Sequence, residues 1–242
     1  MNKRGISHIE VMLSFLIFAG FVIFALYFFN PFQQSSRLID SSLDYAIREI
    51  INNATVNLET FSITMDVSGG GIIRKIKIAG VDNSKNAVVE NRHGAIVPSR
   101  RDGNSDNTEF DTSLVHDNDP TKGFAIFKFS YDFPQGTLTG GGGQLEEDKY
   151  KITSYNNLEL LSENKIKELN NSYNIDYQNL KKGFNLPERV DFGFMLEFNS
   201  NDFIEAQKKV PQGVELFSDL KRVEVLRTNG KVQFANLIVR VW

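Results

Sequence analysis

The sequence predicts an α+β fold in which a long N-terminal helix, apolar then amphipathic, packs on an antiparallel β-sheet head. Three observations carry this expectation. Val11 to Phe29 holds one Ser and no charged residue. Leu38, Ile39, Leu43, Ala46, Ile47, Ile50, Ile51 and Ala54 recur at spacings of three and four, the period of a helix with one apolar face. From about Phe61 apolar and polar residues alternate, the period of a half-buried strand.

The apolar run from Ile6 to Phe29 would reach about 36 Å at about 1.5 Å per helical residue, enough for a hydrocarbon core of about 30 Å. Lys3 and Arg4 precede it, and short basic flanks stay on the cytoplasmic side. The chain after the run is therefore expected outside the cell. A secretory signal would carry a shorter apolar core followed by small residues at a cleavage site; here Asn30-Pro31-Phe32 follows. Residues 6–30 are read as a single-pass anchor contacting membrane lipid. Asn30 suits an N-cap and Pro31 a first helical position, so a kinked restart is expected there. The amphipathic helix would then run over residues 31–58, with Arg37, Asp40, Asp44, Arg48 and Glu49 on its other faces.

Residues 59–242 are read as one β-rich head. Alternation marks Phe61, Ile63, Met65 and Val67, then Ile76 and Ile78, then Phe127, Phe129, Tyr131 and Phe133, then Phe192, Phe194, Leu196 and Phe198. Thr228-Asn229-Gly230-Lys231 predicts a two-residue type I′ hairpin joining Arg222–Arg227 to Lys231–Trp242. Within that last strand the apolar phase shifts from Val232 and Phe234 to Leu237, Val239 and Val241, which predicts a bulge near Ala235-Asn236. A helical insertion is expected at about 158–187: Ser162 caps one helix, Asp176 caps a second, and Gly183 serves as C′ residue with Pro187 beyond. The sheet needs cover, and the stripe from Leu38 to Ala54 has the width to supply it.

Composition narrows the function classes. The chain carries 27 basic and 30 acidic residues, a balance unsuited to nucleic acid. It has no Cys, so an exported head must hold together without disulfides, which a core of this size allows. With 41% hydrophobic residues and 20 Phe, the head is folded rather than disordered.

Sites of chemistry are scarce. His8, His93 and His116 lack metal-ligand spacing, no Ser stands in a Gly-x-Ser-x-Gly elbow, and Glu146-Glu147-Asp148 are adjacent rather than positioned as acid and base. Gly69–Gly71 and Gly140–Gly143 lack the Lys-Ser/Thr ending of a phosphate cradle and are read as turns. In the polar stretch 99–122, Asp102-x-Asn104-x-Asp106 alternates as a calcium loop would. Asn107 stands where that loop needs Gly, however, and Ser113 where it needs a bidentate Glu, so the stretch is read as a solvated loop. No enzyme activity and no cofactor are expected. Asn53-Ala54-Thr55 and Asn170-Asn171-Ser172 match the glycosylation sequon.

The basic pair Lys3-Arg4, then Gly5, Ile6 and the lone acid Glu10 at the mouth of the apolar run resemble the N-terminus of type IV pilin and pseudopilin precursors, which carry a class III signal peptide. The resemblance covers roughly Lys3 to Phe29. It implies that a prepilin peptidase removes residues 1–5 by cutting between Gly5 and Ile6. Glu10 then becomes the fifth mature residue and pairs with the N-terminal amine of a neighbouring pilin-like subunit. A carboxylate and an amine both desolvated among apolar helices need each other. The usual bacterial first mature residue is Phe, whereas Ile6-Ser7-His8 is closer to archaeal leaders. The resulting expectation is a structural subunit of a type IV pilus-like or pseudopilus filament, a minor pilin rather than a major one. The alternative is a monomeric, single-pass, membrane-anchored extracellular binding module, for which Glu10 merely reaches the headgroups.

Overall fold

The structure, a computed structural model, describes residues 8–28, 31–68, 72–102, 106–116, 119–138 and 141–242. Two helices come first, α1 (His8–Phe28) and α2 (Pro31–Ala54). The expected restart residue Asn30 lies outside the described residues, but α2 does begin at Pro31, where the missing N–H costs nothing. Among the described residues thirteen strands, two further α-helices and two short 3-10 helices follow, so the chain is α+β with an apolar N-terminal helix and largely antiparallel sheets.

The larger sheet has nine strands. They are β1 (Thr55–Asp66), β3 (Asn86–Asn91), β4 (Ile96–Val97), β7 (Lys122–Ser130), β9 (Tyr150–Ser162), β10 (Phe192–Asn199), β11 (Asp202–Ala206), β12 (Phe217–Leu226) and β13 (Val232–Val241). Across the sheet they run β11-β10-β13-β12-β9-β1-β7-β3-β4. A four-stranded sheet, β5-β6-β2-β8, is built from β2 (Ile73–Lys77), β5 (Ser99–Arg101), β6 (Asn107–Asp111) and β8 (Gly143–Gln144).

Two main cores divide the head. In the first, Leu43, Ala46, Ile47, Ile50 and Ala54 of α2 meet Phe192, Phe194 and Leu196 of β10 and Ala235, Leu237, Val239 and Val241 of β13. Leu43, Ala46 or Ile47, Ile50 and Ala54 follow one another at three or four residues, on one stripe facing the sheet. The earlier stripe residues Leu38 and Ile39 lie outside the residues whose side chains are described. In the second core, Phe61, Ile63 and Met65 of β1 and Phe127 and Phe129 of β7 face Ile76 and Phe110 of the smaller sheet. There Phe110 and Phe127 meet edge to face with centroids 5.2 Å apart, the preferred geometry for two aromatic quadrupoles. A small third core of Val56, Leu58, Phe133, Leu160 and Leu226 uses the other face of β1. Its pairing with β9 is regular from Thr55 to Ser62, so Val56 and Leu58 point opposite to Phe61.

Several local expectations are corrected. The amphipathic helix stops at Ala54 rather than residue 58, because the chain from Thr55 pairs with β9. The expected insertion begins later: 158–162 finish β9, and the helices are α3 (Glu163–Ile175) and α4 (Tyr177–Gly183). Ser162 caps α3 by accepting from Lys165 N at 3.2 Å, and Asp176 caps α4 by accepting from Asn179 N at 3.1 Å. The C′ residue is Asn185, at φ 50°, not Gly183. Asn185 N donates to Lys182 O and Leu186 N to Lys181 O, the paired bonds of a Schellman close.

The β12–β13 connection is a three-residue loop rather than a type I′ pair. Gly230 N donates to Arg227 O and Arg227 N to Lys231 O, while Gly230 alone in the loop has positive φ, at 82°. That is a type I turn closed by a left-handed Gly. No bulge interrupts β13, whose register with β12 is unbroken. Ala235, Leu237, Val239 and Val241 all face inward; Val232 and Phe234 are exposed apolar residues on the outer face. Register slips fall elsewhere, between β1 and β9 at Ser62/Ile63 and between β10 and β11 at Glu197/Asn199.

Candidate functional site

The segment singled out for function is α1. Ile9–Tyr27 is the one helix among the described residues long and apolar enough to cross a membrane, and none of it is buried against the head. Apolar side chains are exposed around its whole circumference, from Ile9 and Met12 through Phe15, Leu16 and Phe18 to Leu26 and Tyr27. In water such a surface would be unfavourable by about 25 cal/mol for every Å², so it demands hydrocarbon or other apolar helices around it. Glu10 is the one acid in the helix and lies in its first turn, where the exposed backbone N–H groups favour negative charge. Gly5 and Ile6, the expected processing pair, lie outside the described residues.

In the head, polar groups that sequence reasoning did not single out gather at two places. At the first, Tyr177 OH donates to Asp191 Oδ1 at 2.8 Å and accepts from Phe192 N at 3.0 Å, while Lys181 Nζ donates to Asp191 at 2.9 Å. Beside it Tyr173 OH donates to Phe192 O at 2.6 Å and accepts from Lys208 N at 3.1 Å. Burial pushes the Tyr173 phenol up to about 12 and Tyr177 higher still, with Asp191 adding to both. Burial opposes ionisation of Asp191, but bonds from Lys181 and Tyr177 outweigh it and hold the carboxyl below its ordinary range. The phenols therefore stay protonated as donors that pin α3 and α4 to the start of β10.

At the second place Glu163 receives Lys167 Nζ at 2.7 Å, Arg227 Nε at 3.0 Å and Thr228 N at 3.2 Å. Arg227 also reaches Asp202 at 3.0 Å and stacks over Phe198 at 3.8 Å. Burial again opposes ionisation, and the bonds from Lys167 and Thr228 with the Arg227 charge win, leaving the Glu163 carboxyl lowered. This network ties the β12–β13 turn to α3 and β11. The carboxylates and phenols of both clusters are bonded to partners within the head, and only Arg227 Nη1 is buried without one, so their chemistry is structural.

The remaining sequence candidates are dispersed. No group of three or more His, Asp and Glu that could hold a metal occurs among the described residues. Asn104 lies outside them, while Asp111 and Asp119 spend a carboxylate oxygen on the N–H groups of Ser113 and Thr121. Asn53 sits in the last turn of α2, donating to Glu49 O at 2.8 Å, and Asn170 lies within α3, accepting from Asn174. A groove of about 370 Å³ at the ends of β1, β7 and β9 carries Arg92, Lys122, Lys149 and Lys151 beside Asp66 and Asp148. Lys149 and Asp66 pair at 3.5 Å.

The chain matches no protein-family model, no curated protein and no solved structure.

Proposed function

We propose that the chain is a subunit of a type IV pilus-like or pseudopilus filament, a minor pilin assembled through its N-terminal helix, with the head outside the cell. One observation carries this reading. A helix exposed and apolar on every side, with an acid in its first turn, leads within a few residues to a second helix built into the core of the head. Such a helix satisfies its surface in lipid before assembly and among neighbouring copies afterwards. Glu10 supplies the charge that fixes its axial position, since an intramembrane acid seeks a cationic partner. On this reading the partner is the amine freed at Ile6 of a neighbouring subunit.

Processing provides the test. Intact-mass spectrometry of the full chain, made with a matching prepilin peptidase, is expected to show loss of residues 1–5 when the peptidase is active and retention when it is not. An unshortened chain with active peptidase overturns the reading.

A further inference from the structure

The nine-stranded sheet contains an open edge at its middle. Among the described residues β12 pairs with β13 along its whole length, from Phe217↔Val241 to Leu226↔Val232. On its other side it meets β9 only through Val225↔Leu161 and Leu226↔Ser162, in parallel. The two strands then part, leaving Phe217 to Glu224 without a strand partner on that side. Leu220 N–H shows the consequence, donating to the side chain of the adjacent Asp219 at 2.8 Å instead of to a neighbouring strand. An unpaired strand edge is a template for another strand.

We infer that this edge pairs with the same edge of a second copy, β12 against β12 in antiparallel register about a two-fold axis at Leu220. The strand is complementary to itself. With Leu220 opposite its own counterpart, Asp219 stands opposite Lys221 of the other copy, and Lys221 opposite Asp219, so two ion pairs form symmetrically. Phe217, half-buried, stands opposite Val223, also half-buried, and Ser218 opposite Arg222. In antiparallel pairing directly opposite residues share a face, and opposite charges or apolar side chains there are favourable while like charges are not.

The faces agree without adjustment, because β12 keeps unbroken register with β13 and contains no bulge. Phe217, Asp219, Lys221 and Val223 lie on the helix-covered face; Ser218, Leu220 and Arg222 lie on the outer one. The paired stretch 217–223 also stops short of Val225, where β9 takes over the edge. Lys221 lines a groove with Asp44, Tyr45 and Arg48 of α2 and makes no ion pair among the described residues, so its charge is available. On pairing, Leu220 N–H exchanges Asp219 for the other strand's carbonyl, which releases Asp219 to Lys221. Each copy offers the same patch, as a closed two-fold contact requires. The inference does not depend on the filament reading.

The chain has no Cys, which makes the test direct. Full-length Leu220→Cys in detergent micelles, treated with a short bismaleimide, is expected to give a covalent dimer. Phe234→Cys is the control: it is as exposed, 54% against 55%, but sits one strand inward, and it is expected to remain monomeric. In the Leu220→Cys background, Lys221→Asp sets acid against acid and should abolish the dimer, while Asp219→Lys with Lys221→Asp should restore it. Equal cross-linking at both positions, none at Leu220→Cys, or a Lys221→Asp variant that cross-links undiminished would overturn the inference.

Discussion

Helices α1 and α2 have similar lengths, 21 and 24 residues, yet they spend their apolar residues in opposite ways. Ile9 and Phe15 of α1 are 75% and 68% exposed, whereas Ile47 and Ile50 of α2 are 1% and 0% exposed. The head needs α2 because its sheet cannot close the core of Phe192, Leu237 and Val239 by itself. It needs nothing from α1. An apolar side chain therefore contributes to folding only where the chain supplies its cover. Where the cover comes from lipid or another molecule, the same residue contributes to location and assembly.

The largest expected effect breaks the α2 side. Ile50→Asp would bury an unpaired charge against β10 and β13, a mechanism that produces losses beyond about 4 kcal/mol; urea unfolding of the full chain in detergent micelles should show a head that no longer folds cooperatively. A variant unfolding at the wild-type midpoint would show that α2 is not the cover.

Next come the polar ties between the helices and the sheet. Arg227→Ala removes a partner of the buried Glu163 carboxylate and is expected to cost about 1–3 kcal/mol. Acid dependence follows from the same carboxylates. Glu163 and Asp191 both have folded pKa values below their ordinary ones. Their stabilisation is therefore present above the ordinary carboxylate range and lost as pH falls through the folded values. Glu163→Gln should flatten the acid limb of a stability–pH curve, and an unchanged limb would count against the network.

Tyr173 works in the opposite direction. Its folded pKa, about 12, exceeds the unfolded value near 10. Its contribution is complete below about pH 10 and fades as pH rises through the folded value, so Tyr173→Phe should make alkaline unfolding less steep. The smallest effect sharpens the α1 side. Phe18→Ala is expected to change head stability by no more than about 0.5 kcal/mol, measured by the same urea midpoint, since Phe18 touches nothing in the head.

These regions differ equally in how much the sequence revealed. Helix α1 shows as an unbroken apolar run, while α2, the caps at Ser162 and Asp176, and the alternating strands at Phe61–Met65 and Phe192–Leu196 carry their signals in the residues themselves. Strand β9 does not. From Lys151 to Glu159 it is exposed on both faces, so no apolar alternation marks it, and its last residues read as the start of a helical insertion. Val232 and Phe234 misled in the reverse sense, as apolar residues on an uncovered face imitate a change of phase. Sheet order was also illegible, because β12 lying beside β9 is a contact between segments far apart in the chain. Of the candidate site, Glu10 and its apolar helix were plain from composition, while the clusters around Asp191 and Glu163 depend on tertiary placement and left no local signal.

Glu10 is proposed to serve assembly rather than anchoring. In cells carrying the peptidase and filament machinery, Glu10→Ala should be cleaved and retained in the membrane at wild-type levels, while its amount in sheared surface filaments falls away. Incorporation of Glu10→Ala into filaments at the wild-type level would contradict the account.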